Sequence, residues 1–167
     1  SVEKTIKRMN NQLNYFQQTR GEDVFNIFVN SIASIYGPHT SYMSPKTSED
    51  FDINMSLSLE GIGALLSSDG LYTSISSLVP GGPAEKTDSL KPEDKIIGVG
   101  QDAEGEIVDV IGWRIDDVVD LIRGPKGSKV RLEIIPSTAL SDTETKEVEI
   151  IRNVVKLEDQ AAEKKIL

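Results

Sequence analysis

The sequence contains no cysteine, and this absence removes several kinds of chemistry at once. Without a thiol there is no disulfide bridge, no zinc site built from thiolates and no cysteine nucleophile. Histidine occurs once, at His39, and the nearest serine, Ser41, is two residues away in the same turn-rich stretch. Residues so placed point in different directions, so we expect His39 to be a turn residue and not a catalytic base.

The chain also lacks long apolar runs and long basic runs. No stretch approaches the roughly 18 apolar residues of a membrane-spanning helix, so we expect no direct membrane insertion. The 18 basic residues are outnumbered by 27 acidic ones, giving a net charge of −9. Because no cluster of Lys or Arg could follow a phosphate backbone, nucleic acid is excluded as a partner. The 167 residues suffice for one ordinary core with attachments, and the start at Ser1 suggests a piece of a longer protein.

Apolar residues in the first part of the chain recur every three or four positions, which is typical of amphipathic helices. Helices are predicted over residues 2–15 and 22–35, the second ending at Gly37-Pro38, where the chain cannot continue a helix. The sequence therefore predicts an N-terminal helical pair. A turn-rich connector follows, and then a short helix over residues 48–55 capped by Ser48.

The rest of the sequence predicts short strands with two helices between them. Strands are predicted at residues 63–67, 72–77, 95–99, 129–135 and 146–151, and helices at residues 83–86 and 114–123. The order lacks the regular β-α-β alternation of a doubly wound sheet. We therefore expect an α+β fold, a small partly open β-barrel or sandwich capped by two helices and preceded by the helical pair.

The most informative stretch is Leu59-Glu60-Gly61-Ile62-Gly63-Ala64, in which two glycines flank one apolar residue just before a predicted strand. Such a loop can turn successive backbone N–H groups toward one point and hold an anion such as a peptide carboxylate. The alternative is a plain bend or bulge at the start of a strand.

The helix predicted over residues 114–123 offers a second element. Its spacing places Ile115 and Val119 on one face, with Ile122 close by. If this face lies beside the strand after Gly63, an extended peptide could add to the strand edge and place its last side chain against the helix. The alternative is that Val118, Leu121 and Ile122 are core and that Ile115 and Val119 flank it.

Two further groups of residues could carry chemistry. Four acidic residues at Asp102, Glu104, Glu106 and Asp109 lack the twelve-residue calcium-loop pattern, so a solvated acidic hairpin is expected. Trp113 is expected to be a packing anchor before the helix. We expect no metal and no cofactor.

Several separate blocks resemble one family. They are Leu59-Glu60-Gly61-Ile62-Gly63-Ala64, Gly81-Gly82-Pro83-Ala84, Asp94-Lys95-Ile96-Ile97-Gly98-Val99, Val110-Ile111-Gly112-Trp113-Arg114 and Ile122-Arg123-Gly124-Pro125-Lys126-Gly127-Ser128-Lys129-Val130. Together they resemble the PDZ region of bacterial carboxyl-terminal processing proteases, especially the tail-specific (Prc-like) branch. The resemblance covers about residues 37–160, and the preceding helices look like the N-terminal part of the same proteases.

The resemblance implies three segments: helices and connector over residues 1–54, a PDZ domain over residues 55–155, and the start of a linker over residues 156–167. It implies a Ser/Lys dyad on a following protease domain that is absent here, so the fragment itself is expected to be non-catalytic. The pair Ser128 and Lys129 belongs to a turn block of the family and not to its catalytic motif.

The resemblance also implies capture of apolar C-terminal tails of unstructured or misfolded proteins, association with the rest of the parent protease, and a periplasmic location. The peptide-binding residues would be Leu59, Gly61, Ile62, Gly63, Ala64, Ile115, Val119 and Ile122. The alternative is a scaffold domain, unrelated to proteolysis, that binds internal peptides.

Overall fold

The computed structural model describes residues 5, 6, 9 and 13, and then residues 16–56, 58–141 and 143–156. They form two compact units, which divide between Met55 and Ser56. The helices are α1 (Gly21–Tyr36), α2 (Pro45–Ser56), α3 (Pro83–Lys86) and α4 (Ile115–Ile122). The strands are β1 (Ser58–Gly61), β2 (Ala64–Asp69), β3 (Tyr72–Leu78), β4 (Lys95–Gln101), β5 (Ile107–Asp109), β6 (Lys129–Ile135), β7 (Lys146–Ile151) and β8 (Asn153–Lys156).

The first unit is helical, as predicted. The described residues between Thr5 and Gln18 are helical, and α1 follows after a break at Thr19 and Arg20. The backbone N–H of Arg20 donates to Asp23 Oδ2 at 2.8 Å, which begins α1 with the acid in its first turn. The other residues of the predicted first helix, and the predicted linker from residue 157, lie outside the described residues.

Helix α2 begins earlier than the predicted helix, and the predicted cap at Ser48 is wrong. The backbone N–H of Thr47 donates to Ser44 Oγ at 3.2 Å, so Ser44 is the residue that caps the helix. Pro45 occupies the first helical position, where a residue without an N–H group loses no hydrogen bond.

The second unit contains two open antiparallel sheets and no closed barrel among the described residues. Six strands form one sheet in the order β2-β3-β4-β6-β7, with β5 also paired to β4, and β1 pairs with β8 in the other. The five predicted strands are confirmed as β2, β3, β4, β6 and β7. The sequence missed β1, β5 and β8, because three or four residues are too few to display an alternating pattern.

The core of the second unit lies between the larger sheet and helices α3 and α4. In β6 the alternation of the strand buries Val130, Leu132 and Ile134 completely on one face. Helix α4 contributes Val118, which is fully buried, and Ile122, which is 4% exposed. Each such aliphatic side chain contributes about 1.5–3 kcal/mol through removal from water, so these residues hold α4 in place. Trp113, in contrast, is 44% exposed and is not the buried anchor that we predicted.

None of the helices that the structure describes is both long enough and apolar enough to cross a membrane.

Candidate peptide-binding site

The loop between β1 and β2 holds two buried backbone amides without an acceptor. The carbonyl of Ile62 accepts the N–H of Ala84 at 2.7 Å, and the carbonyl of Gly63 accepts the N–H of Val79 at 2.9 Å. The N–H groups of Ile62 and Gly63 donate to no acceptor within the described part of the chain. Both residues are buried. Since amides of buried residues are nearly always paired, these two donors suit a ligand that offers a hydrogen-bond acceptor.

Gly63 is the residue that shapes this loop. Its φ is +74°, a left-handed conformation that glycine adopts without steric cost. A Cβ atom there would lie 3.3 Å from Gly82 Cα and 3.4 Å from Val155 Cγ2. Both the backbone conformation and the close approach of β8 therefore require glycine at this position.

A groove is defined by β2 and α4. Strand β2 pairs with β3 along one edge, and none of the strands that the structure describes pairs with its other edge. Helix α4 packs against β2 and β4. An edge of this kind presents unpaired backbone groups to which an extended peptide can add as a further strand.

The two ends of the groove are identified by contacts between the flanking loops. At the amide end, a Cβ at Gly61 would lie 3.9 Å from Arg123 Cγ, and the N–H of Lys126 donates to Glu60 Oε2 at 3.2 Å. At the other end, the N–H of Gly112 donates to the carbonyl of Leu71 at 2.7 Å. Helix α4 therefore runs antiparallel to β2, with its C-terminus beside the unpaired amides.

The structure separates the predicted apolar site residues into two classes. Ile62 and Ile122 belong to the buried core, and Ala64 packs against it. Leu59, Ile115 and Val119 are half-buried, so these three retain surface that a ligand can cover. Gly61 lies at the last position of β1, opposite Asn153 of β8. The assignment of the predicted site residues to contact with a ligand stays a prediction.

A polar residue that the sequence reasoning missed lies behind the groove. Arg152, 3% exposed, lies between β7 and β8 and points its guanidinium at the end of α4. It donates to the carbonyls of Leu121 at 3.0 Å and Ile122 at 2.8 Å. Burial lowers the pKa of Arg152 by removing water, and the carboxylate of Asp102 acts in the opposite direction. One signal in the sequence indicates that the end of this helix needs a donor from elsewhere. Pro125 has no N–H group that could bond the carbonyl of Leu121, four residues earlier.

Ser128 and Lys129 are both engaged in structural contacts. Ser128 Oγ donates to the carbonyl of Pro125 at 2.6 Å and accepts from Arg152 Nη1 at 2.9 Å. Lys129 Nζ pairs with Glu149 Oε1 at 2.7 Å on the strand surface. The two side chains therefore do not form a nucleophile and base pair.

Two protein families match this sequence. The profile of the PDZ domain matches residues 50–135, and the profile of the tail specific protease N-terminal domain matches residues 1–46. Among solved structures, the PDZ domain of a carboxy-terminal protease from Vibrio cholerae in complex with peptide superposes with a TM-score of 0.57 at 52% identity. The match covers 60% of this chain and 100% of that domain.

Among curated relatives, the tail-specific protease of Haemophilus influenzae is 48% identical over 95% of this chain and 22% of its own length. The carboxy-terminal processing protease CtpA of Bacillus subtilis is 36% identical over 72% of this chain and 24% of its own length. The chain thus spans about a fifth to a quarter of these relatives. The chain belongs to the carboxyl-terminal processing protease family, and its second unit is the PDZ domain of that family.

Proposed function

We propose that this PDZ domain binds the free C-terminus of a peptide in the groove between β2 and α4. The carboxylate accepts hydrogen bonds from the amides of Ile62 and Gly63, with Ala64 next to them, and the peptide backbone continues along the free edge of β2. The observation that carries the proposal is the pair of buried amides without an acceptor at one end of this edge.

The charge near the amides supports an anionic ligand. The side chain of Arg123 passes close to Gly61 at the end of α4. A positively charged residue on this turn would add a favourable Coulomb interaction with a carboxylate held in the loop. The C-terminus of α4 alone would disfavour an anion, because its free carbonyls carry partial negative charge. Because Arg152 and Gln101 bond those carbonyls, this opposing effect is reduced.

The proposed side-chain pocket is lined by apolar residues. Leu59 lies on the loop side, and Ile115 and Val119 lie on the helix side. The buried Ile62 and Ile122 would form its floor. A terminal residue such as Ala or Val would transfer apolar surface from water into this pocket, which favours tails that end in apolar residues.

Membership of the family supports a role in a longer protein. Capture of an apolar tail by this domain would raise the local concentration of a substrate near a serine endopeptidase domain carrying a Ser/Lys dyad. The substrates would be unstructured or misfolded proteins, since only a free and extended tail can add to a strand edge. The periplasmic location belongs to the same proposal.

Fluorescence anisotropy of a labelled ten-residue peptide ending in Ala-Ala tests the binding. The free acid and its C-terminal amide are titrated with the same protein. Saturable binding of the free acid with weak or no binding of the amide supports the proposal. Equal binding of both peptides indicates a scaffold domain for internal peptides, and binding of neither contradicts carboxylate capture by this domain.

A further inference from the structure

The C-terminal end of α4 leaves two carbonyl groups that the local backbone cannot satisfy. The last helical hydrogen bond runs from the N–H of Arg123 to the carbonyl of Val119 at 2.8 Å. The carbonyl of Leu121 would next bond to residue 125, which is proline and has no N–H. The carbonyl of Ile122 would bond to Lys126, whose N–H donates to Glu60 instead.

Side chains from the junction of β7 and β8 and from the end of β4 supply the missing donors. Arg152 Nε donates to the carbonyl of Ile122 and Nη2 donates to that of Leu121. Gln101 Nε2, at the end of β4, also donates to the carbonyl of Leu121 at 2.7 Å. Arg152 Nη2 donates to Gln101 Oε1 at 2.6 Å, so each side chain fixes the orientation of the other.

The remaining donors of Arg152 are also used. Nη1 donates to Ser128 Oγ and to the carbonyl of Lys129, at 2.9 and 3.1 Å. The guanidinium therefore makes five hydrogen bonds, which is its full capacity. A Cβ at Gly124 would lie 3.0 Å from Arg152 Cζ, so the turn after α4 closes over the guanidinium only with glycine there.

Arg152 also has a fixed place in the backbone near the carboxylate loop. Its N–H donates to the carbonyl of Ser128 at 2.8 Å, and its carbonyl accepts the N–H of Gly127 at 2.8 Å. The next residue, Asn153, pairs with Gly61 in the β1–β8 sheet. Arg152 thus connects the helical wall of the groove to the β1–β8 sheet, whose strand β1 leads into the loop with the unpaired amides.

We propose that Arg152, with Gln101, is a positioning residue that sets the distance between α4 and the carboxylate loop and thereby the size of the terminal side-chain pocket. It does not touch the ligand. A planar fork of five fixed donors suits this role better than lysine, which is a point charge with rotatable donors. The inference rests on the proposed function for its effect on ligands, whereas the helix cap itself is testable without any ligand.

The experiment compares Arg152→Gln and Arg152→Lys with the control Arg131→Gln. Arg131 also bonds backbone carbonyls and a glutamate, but it makes these bonds in the β4–β5 hairpin and on β7, away from α4. Gln101→Ala is added because Gln101 is exposed and its loss removes one donor from Leu121 without opening the core.

The first measurement is amide hydrogen exchange of α4. We expect faster exchange at Ile122 and Arg123 in Arg152→Gln and, to a smaller degree, in Gln101→Ala, but not in Arg131→Gln. Because this measurement needs no peptide, it separates failure of the inference from failure of the proposed function. Unchanged exchange at the end of α4 in both Arg152→Gln and Gln101→Ala would overturn the helix cap.

The second measurement is the Kd of free-acid peptides ending in Ala or in Val, referred to the folded fraction. Arg152→Gln should raise the Kd for the Ala peptide by about tenfold or more, as for loss of charge-assisted hydrogen bonds. The Kd for the Val peptide should rise less, because the larger terminal side chain still contacts a displaced helix. The Kd of Arg152→Lys should lie between those of the wild type and Arg152→Gln. Equal losses of affinity for both peptides would show that Arg152 is merely structural and would overturn the proposal. Losses of affinity that match those of Arg131→Gln would do the same. If Arg152→Gln does not fold, the Kd values of Gln101→Ala are judged by the same criteria.

Discussion

The backbone N–H of Lys126 donates to Glu60 Oε2 at 3.2 Å, across 66 positions of sequence. This hydrogen bond joins the turn after α4 to β1, one residue before Gly61. The turn after α4 and the strand that leads into the loop are therefore joined at the end where the amides of Ile62 and Gly63 lack an acceptor. Variants of residues around this end should report separately on the carboxylate loop, the side-chain pocket and the supporting core.

Gly63→Ala tests the carboxylate loop. We expect a loss of about 1–3 kcal/mol in the free energy of unfolding, because the left-handed φ is strained for alanine and its Cβ meets Gly82 and Val155. Gly70→Ala is the matched control, since Gly70 has φ +69° with no atom near its Cβ position. The control should cost only about 1 kcal/mol for the conformation itself. Chemical denaturation measures both, and equal costs would show that the close approach at Gly63 does not matter.

Val119→Asp tests the helix side of the pocket. The half-buried Val119 would be replaced by a charge that repels a ligand carboxylate and disfavours an apolar side chain. The Kd for the free-acid peptide should rise by about tenfold or more. Val108→Asp makes the same chemical change at a residue of β5 that is 40% exposed, and it should leave the Kd unchanged. An unchanged Kd in folded Val119→Asp would remove this residue from the pocket.

Ile115→Ala and Ile122→Ala separate pocket wall from core. Ile122 is 4% exposed, so its truncation should cost about 2–5 kcal/mol of unfolding free energy. Ile115 is half-buried, so its truncation should cost about 1 kcal/mol while weakening peptide binding. Thermal unfolding and peptide titration of both variants measure the difference. The reverse ranking in stability would contradict the packing of α4, in which Ile122 is core and Ile115 is half-buried.

Asp94→Ala tests a buried carboxylate outside the groove. Asp94 is 2% exposed, and its two oxygens accept the N–H groups of Lys91 at 2.8 Å and Ser137 at 2.7 Å. Removing both acceptors should cost about 2–4 kcal/mol, because two backbone donors lose their partners. Asp94→Asn keeps one acceptor and should cost less. Peptide affinity of the folded fraction should not change in either variant, and a specific loss of binding would place Asp94 in the site.

The sequence by itself determined the secondary structure wherever the pattern was long enough. The alternation in β6 and the amphipathic spacing of α4 are local properties, so they were visible without a fold. The glycine pair around Ile62 was equally visible in the sequence. Glycine adopts a left-handed conformation without steric cost, so it is the usual residue where a loop needs one.

Only the tertiary structure decided which residues meet. Strands β1 and β8 are four residues each and exist because they pair across the chain, Gly61 opposite Asn153. Arg152 looks like any charged residue in the sequence, and its burial depends on carbonyls of α4 that lie 30 and 31 positions earlier. The periodicity placed Ile115, Val119 and Ile122 close together on the helix, but the depth at which α4 packs made Ile122 core and left Ile115 and Val119 half-buried. Local propensity acts through neighbours in sequence, whereas burial and long-range hydrogen bonds depend on segments that only the fold brings together.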